Sequence, residues 1–399
     1  MSTPTKTPVE RPPMTADLAP AGTRKALFSA SAIRSYTMVI ALVAVWIIFT
    51  AITDGIFLEA RNFSNLMRQT AVTGILAVGM VMVIITGHID LSVGSLVGVT
   101  GMCAVLTQAT LGWGLVPSLL AGLFLGLVIG ALQGSLVAYG KIPSFIVTLG
   151  GLLAWRGATK GISEGNTVPI QVVAFKRIGQ AYLPATAGWI LAAVAIAIIL
   201  WLTLRRASSR KQHGLVPWSA ASIAARIIIP SALILGLVVA FNNYAGVPIP
   251  VVILIAVALA GAFITQNTTF GRYLYAIGGN SEAARLSGIN LKSHVLATFC
   301  ILGVLAGISG IIYTARVGAA APDAGTLLEL DAIAACVIGG ASLMGGRGTV
   351  FGACLGALFM ASLDNGMSLK NVPDFIQDIV KGGILVSAVG LDFIGRRRD

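Results

Sequence analysis

FGRYLYAIGGNSEAARLSGINLK, residues 270–292, is the one well-defined polar interruption in the second half of a chain otherwise built of long apolar runs. Gly278 and Gly279 are expected to break the preceding structure, since glycine tolerates backbone angles that other residues avoid. Asn280 or Ser281 can then cap a new helix by accepting backbone N–H bonds, with Glu282 in the first turn, where the helix dipole favours an anion. Ala283, Ala284, Arg285 and Leu286 are good helix formers, and past Ser287, Gly288 is a natural stop. The result is a helix of about two turns, too short to be stable alone in water, and such a helix persists when docked on something. Its charged face suits an aqueous partner, and Leu286 with Ile289 would supply apolar anchors. A loop that merely needs a turn fits these residues about as well.

The flanking sequence fixes the fold class. Of the 399 residues 56% are hydrophobic and only 11% charged, whereas soluble domains carry roughly 25% charged residues. That balance is a membrane signature. Cys103, Cys300, Cys336 and Cys354 sit in apolar runs without paired spacing, so they form neither a disulfide framework nor a zinc site. Glycine is abundant, as expected where membrane helices approach closely. The net charge of +12 could suggest nucleic acid, but the basic residues form no single patch and instead mark topology.

Residues 1–30 hold Pro, Thr and scattered Lys and Arg with no apolar run and cleavage site behind them, and read as a disordered cytoplasmic tail. The transmembrane region covers 31–395, and 396–399 is a basic cytoplasmic tail. Apolar runs of roughly 17–25 residues suit membrane-spanning helices. About twelve fit, near 36–53, 70–87, 91–110, 115–138, 144–162, 186–204, 226–241, 248–266, 293–314, 328–344, 349–365 and 376–394. The expectation is an all-α polytopic membrane protein of about 10–12 spans, some of them broken or re-entrant near Gly87, Gly94 and Gly339–Gly340. With both termini inside, Lys141, the cluster from Arg205 to Arg226, Arg272, Arg285, Lys292, Arg347 and Arg396 to Arg398 all fall on the cytoplasmic side. The 270–292 loop then lies in the cytoplasm.

Three further stretches carry polar groups. In TGHIDLSVGSLVG, residues 86–98, Asp90 between two apolar runs is costly and therefore a pathway candidate, with Ser92 and Ser95. The same Asp90 can N-cap the third span, and the two roles are compatible. His88 beside it reads as a helix-end hydrogen bonder rather than a ligand. In LLELDAIAACVIGGASLMGGRGTVFGA, residues 327–353, Glu329 and Asp331 open an apolar run that breaks at two glycine pairs. The acids suit a first helical turn. Two glycine-broken stretches, one per half of the chain, are also what inverted-repeat transporters show near their pathway. In ASLDNGMS, residues 361–368, Asp364 and Asn365 sit at the outer end of a span that Gly366 can end. They are pathway candidates at the outer mouth, or could meet a protein docked outside, or form a plain helix terminus and turn.

The chain resembles the permeases of ATP-binding-cassette (ABC) importers, in the branch serving ribose, xylose and branched-chain amino acids. The resemblance runs from about residue 62 to 389, through RNFSNLMRQTAVTGILAVGM, IDLSVGS, IPSFIVTLG, RYLYAIGGNSEAARLSGIN, ELDAIAACVIGG and MASLDNGMS. It departs mainly at apolar positions such as Met344, and His88 fills a variable position of the family signature. The segment from about 187 to 248 looks like an added pair of spans, an insertion that the xylose-type members carry. One of the pair could instead be a surface helix.

What the resemblance implies is a type II-like importer permease in the inner membrane that moves a monosaccharide, D-xylose foremost, inward from a periplasmic sugar-binding protein. It implies two permease copies, and a cytoplasmic ATPase holding ATP and Mg and engaged by residues Gly278 to Gly288, with Glu282 and Arg285 as polar contacts and Leu286 buried. The chain itself is expected to bind no cofactor or metal and to have no catalytic residue. GSLVAYGKI, residues 134–142, has one residue too many for a phosphate loop and Ile142 where Ser or Thr is needed. Alternatives are a permease for ribose or another sugar, or an ion-coupled secondary transporter using Asp90, Glu329, Asp331 and Asp364 as relays. An intramembrane enzyme lacks any nucleophile–base pair.

Overall fold

In the computed structural model, which describes the backbone of residues 30–396 and the side chains of 38–390, the expected apolar runs become helices, the run 328–344 only as far as Ile338. The expected N-terminal tail through residue 29, and the basic terminus beyond Arg396, lie outside the described residues. In chain order the elements are α1 (Ala30–Ile52), α2 (Ala60–Ile85), α3 (Val93–Ala109), α4 (Leu115–Ala138), α5 (Ser144–Ile162), β1 (Val168–Pro169), α6 (Val173–Gln180) and β2 (Tyr182–Leu183). Then come α7 (Ala185–Gln212), α8 (Ala220–Asn242), β3 (Val247–Pro248), α9 (Ile249–Asn267), α10 (Thr269–Gly279) and α11 (Ser281–Leu286). The last are α12 (Leu291–Val317), β4 (Ala319–Ala320), α13 (Leu328–Ile338), α14 (Val350–Leu369) and α15 (Asp374–Arg396).

The bundle is organised around α2. From Thr70 to Thr86 every residue is buried, as a helix that is apolar on all sides requires. It packs against α9, α12, α13 and α14. α12 lies in turn against α4, its most extensive contact, where Gly303 and Gly126 face each other so closely that a Cβ on either would overlap the other's carbonyl. Such small-residue contacts replace the hydrophobic drive that lipid removes.

Seven helices among the described residues are long and apolar enough to cross a membrane: α2, α4, α7, α8, α9, α12 and α14. Both members of the pair expected over about 187–248 are among them, so neither is merely a surface helix by length and composition. α7 and α8 pack on each other, and α8 touches α2 through Phe241 and Phe63. Outside that seam the pair presents apolar side chains outward. On the opposite side from the 270–292 loop, β1 pairs with β4 and β2 with β3, both antiparallel. These short ladders tie the connector between α5 and α7 to the ends of α12 and α8.

One expected span is broken where its glycines indicate. The run 328–344 is not a continuous helix: α13 has 11 residues, about 16 Å of helix, half a bilayer core. Gly340, Gly345 and Gly346, all at positive φ, carry the chain through a loop before α14. The glycine pairs mark the break, and the apolar Ala341, Leu343 and Met344 between them make the run read as if it extended to 344.

Candidate functional site

The short helix expected in the 270–292 loop forms as its residues dictate, with one change. Thr268 caps α10 by accepting from Gly271 N at 3.1 Å, and α10 then runs straight through Gly278 and Gly279. The break falls where expected, after Gly279, but not through glycine's freedom of angle: neither glycine has a positive φ, and the extended backbone of Asn280 ends the helix. Gly278 is instead a close-approach residue. A Cβ there would overlap the carbonyl of Ile85, the last residue of α2, and press on Gly346 N. Asn280 caps α11, its Oδ1 accepting from Ala283 N at 2.9 Å. Ile289 N closes the C-terminal turn on Ala284 O at 3.1 Å, and Gly288 turns the chain out at φ +84°. Ala284 is buried, Glu282 and Arg285 form an exposed pair at 3.3 Å, and Leu286 is 75% exposed. An ion pair so open to water contributes little to stability. The exposed Leu286 is the unusual feature.

Three segments that are far apart in sequence meet beneath α11. Gly346 N donates to Ile85 O at 2.9 Å. Tyr275 on α10 donates its hydroxyl to Gly348 O at 2.8 Å, and burial pushes that phenol above its usual range, so it stays a donor. Gly345 and Gly346 adopt positive φ so that their backbones lie against Gly278 and Gly279. The loop between α13 and α14 is thus bonded on one side to the end of α2 and on the other to α10. Next to this junction a cleft of about 800 Å³ opens between α11 and the ends of α2, α4 and α12, with His88, Asn280, Arg285 and Lys292 in its walls.

From the junction the chain leads directly to Asp90. Gly87, at φ +82°, ends α2, and α3 begins at Val93 with Ser92 in the capping position. Asp90 is not the cap. Its Oδ1 accepts from the capping residue two positions on, from Ser92 N at 2.7 Å and from Ser92 Oγ at 2.6 Å. Gln133 Nε2 on α4 donates to Ser92 Oγ at 2.8 Å, and Ser95 Oγ donates to Leu152 O on α5 at 2.9 Å. Asp90, Ser92 and Ser95 are all buried inside the chain, and their polar groups join α3 to α4 and α5. His88 makes no side-chain hydrogen bond; its ring lies 6.4 Å from that of Phe299.

The two glycine-broken stretches lie side by side. A Cβ on Gly94 would overlap Glu329 Oε2 and Gly325 O, so the starts of α3 and α13 touch. Glu329 faces Arg156 of α5 at 3.6 Å, and Lys381 of α15 reaches Asp331 at 3.4 Å and Asp364 at 2.8 Å. α13 is therefore held between α5 and α15 by two sets of opposite charges, as burial of acids demands. Asp364 and Asn365 are not at a helix end, since α14 continues to Leu369 and the ring of Phe49 covers Gly366. Asn365 is locked with Asn62 in a reciprocal amide pair at 2.8 and 3.0 Å.

Reading the sequence for acids and glycines missed their partners: Arg156, Lys381, Gln133, Asn62 and Tyr275. A usable signal existed for Arg156 and Lys381, each a basic residue within an apolar run that must face protein or water.

The comparisons agree along the whole bundle. The pattern of the family described as branched-chain amino acid transport system / permease component matches residues 62–389. The xylose transport system permease protein XylH of Escherichia coli (strain K12) is 50% identical over 91% of this chain and 93% of its own length. The protein of the same name from Haemophilus influenzae is 48% identical over 91% and 97%. The ribose import permease protein RbsC of E. coli (strain K12) is 36% identical over 84% and 87%. No solved structure matches the chain. With seven helices apolar and long enough to cross a membrane and a family match over most of its length, the chain belongs to the branched-chain amino acid transport system permease component family, as a multi-pass protein of the inner membrane.

Proposed function

We propose that this chain is the membrane subunit of an ATP-driven importer, passing D-xylose from a binding protein outside to the cytoplasm. The carrying observation is identity at the 50% level with a xylose permease over nearly the full length of both chains. ATP and Mg belong to a separate ATPase subunit, and α11 is the element it grips. The exposed Leu286 on an exposed, capped two-turn helix supports this, because an apolar side chain so open to water gains most from burial against a partner.

A second copy of the chain completes the pathway. Asp90, Ser92, Ser95 and Asn365 are buried and bonded within one copy, which favours roles in holding the bundle over contact with sugar. The faces of α5 and α15 at Gly150, Gly157, Gly382 and Gly383 have open space where a Cβ would stand, suited to a neighbouring helix. Cysteines placed at Gly157 or Gly383 are expected to crosslink two copies in membranes; monomers only, with a crosslinker that works elsewhere on the chain, would remove the dimer reading. Glu329, Asp331 and Asp364 each face a basic side chain, which leaves them poorly suited to relay ions in a gradient-driven transporter.

Uptake of labelled xylose and ribose in cells lacking their own pentose permeases tests the function. The expectation is xylose uptake that requires the ATPase subunit and survives an ionophore with ATP held constant. Ribose uptake in preference would move the chain to the branch of its more distant relatives.

A further inference from the structure

The cytoplasmic end of the α7–α8 hairpin is a cationic cluster for which the transport reading has no use. Between Glu164 and Glu282 the sequence contains no Asp or Glu, so nothing in that segment neutralises Arg205, Arg206, Arg210, Lys211 and Arg226. Loop charges that set topology need no particular arrangement, yet these are arranged. Arg226 on α8 stacks over the Trp218 ring at 4.2 Å, and Arg210 on α7 faces the same ring at 5.5 Å. Arg210 Nε and Nη2 donate to Val216 O at 3.2 and 3.1 Å, which pins the guanidinium in place. Arg205 faces Trp201 at 5.2 Å on the preceding turns. Two guanidiniums from different helices thus converge on one indole with no carboxylate between them, each retaining unused N–H donors. Like charges so held are stabilised by an anion placed against both.

We propose that this end of the hairpin binds the headgroup of an anionic phospholipid, its phosphodiester bridging Arg210 and Arg226 beside Trp218. The acyl chains have a surface at hand: Leu204, Ile228 and Ile229 are exposed next to the cluster, on helices that otherwise present their sides outward. Indole rings at the level of the headgroups fit the same boundary. A soluble anion would use the charges but not the apolar flanks.

The test uses the delipidated full-length protein in detergent, probed by native mass spectrometry and thermal melting. Phosphatidylglycerol is titrated against phosphatidylcholine of the same chain length, and inorganic phosphate is tested separately. Wild type is expected to retain phosphatidylglycerol and melt higher with it, with little response to phosphatidylcholine or to millimolar phosphate. In R210Q/R226Q the affinity should fall roughly thirtyfold, taking the usual contribution of one cation near an anionic surface for each arginine. K141Q/R272Q, which removes the same charge elsewhere on the cytoplasmic face, should bind as wild type. Because Arg210 also braces the loop, R226Q alone repeats the test with a loss of roughly fivefold. Equal binding by wild type and R226Q, equal loss in K141Q/R272Q, equal binding of phosphatidylcholine, or full competition by phosphate would each overturn the proposal.

Discussion

Replacing Gly278 with alanine adds one methyl group at the point where α10 crosses the end of α2. That methyl would overlap Ile85 O and press on Gly346 N, both backbone atoms that no rotamer change can move. Ordinary contact needs roughly 3.5–4 Å between such atoms, so the segments must part by on the order of 1 Å or more. Parting them breaks the Gly346 N to Ile85 O bond, now 2.9 Å. Overpacking costs about 1–3 kcal/mol and a buried donor left without its acceptor about 1–3 kcal/mol. Alanine's better helix propensity returns about 1 kcal/mol, so the net is about 1–5 kcal/mol of destabilisation. Gly279, the next residue of the same helix, has nothing within 4 Å of where a Cβ would stand, and Gly279→Ala should be neutral or slightly stabilising. Thermal melting of the two variants in detergent, with xylose uptake measured in cells, reads both effects. Gly278→Ala should melt lower and lose uptake while Gly279→Ala keeps both. Two indistinguishable variants would refute the close-approach reasoning.

Lys381 serves two acids, so Lys381→Ala should cost about 3–5 kcal/mol by leaving buried carboxylates unpaired, while Lys381→Arg should retain a large part of the stability; melting temperatures check the order. Asp90→Asn keeps an oxygen for the Ser92 N–H and should be mild, whereas Asp90→Ala strands that N–H at about 1–3 kcal/mol while the Ser92 hydroxyl turns to Gln133 Oε1, again read by melting. Asn280→Ala removes the cap of α11 at about 1 kcal/mol; because α11 is exposed, melting should barely change while ATPase-dependent uptake falls. Uptake unaffected by that substitution would argue that α11 needs no preformed cap.

The spans were legible because a membrane helix announces itself in a single window of apolar residues, and ranges such as 115–138 and 144–162 coincide with α4 and α5. Capping by Asn280 was legible for a similar reason, since donor and acceptor lie three residues apart. What escaped was non-local. Glu329 meets Arg156, and Asn62 meets Asn365 across 303 positions, and neither pairing leaves a mark in local pattern. Gly278 was misread because glycine serves both for flexible angles and for close approach, and only the neighbouring Ile85 carbonyl distinguishes them. The span 328–344 was read past the end of α13 because Ala341, Leu343 and Met344 of the following loop are apolar, although the glycine pairs marked the break.

Purification of the detergent-solubilised protein together with its ATPase, comparing wild type with an Arg285→Glu, Leu286→Asp double variant, tests the role of α11 most directly. Both side chains are exposed, so the variant should fold and melt as wild type does. Wild type is expected to bring down the ATPase subunit with its activity, and the variant to lose it. A variant that retains the ATPase in full, or a wild-type protein that binds none yet transports sugar in liposomes on a proton gradient alone, would contradict it.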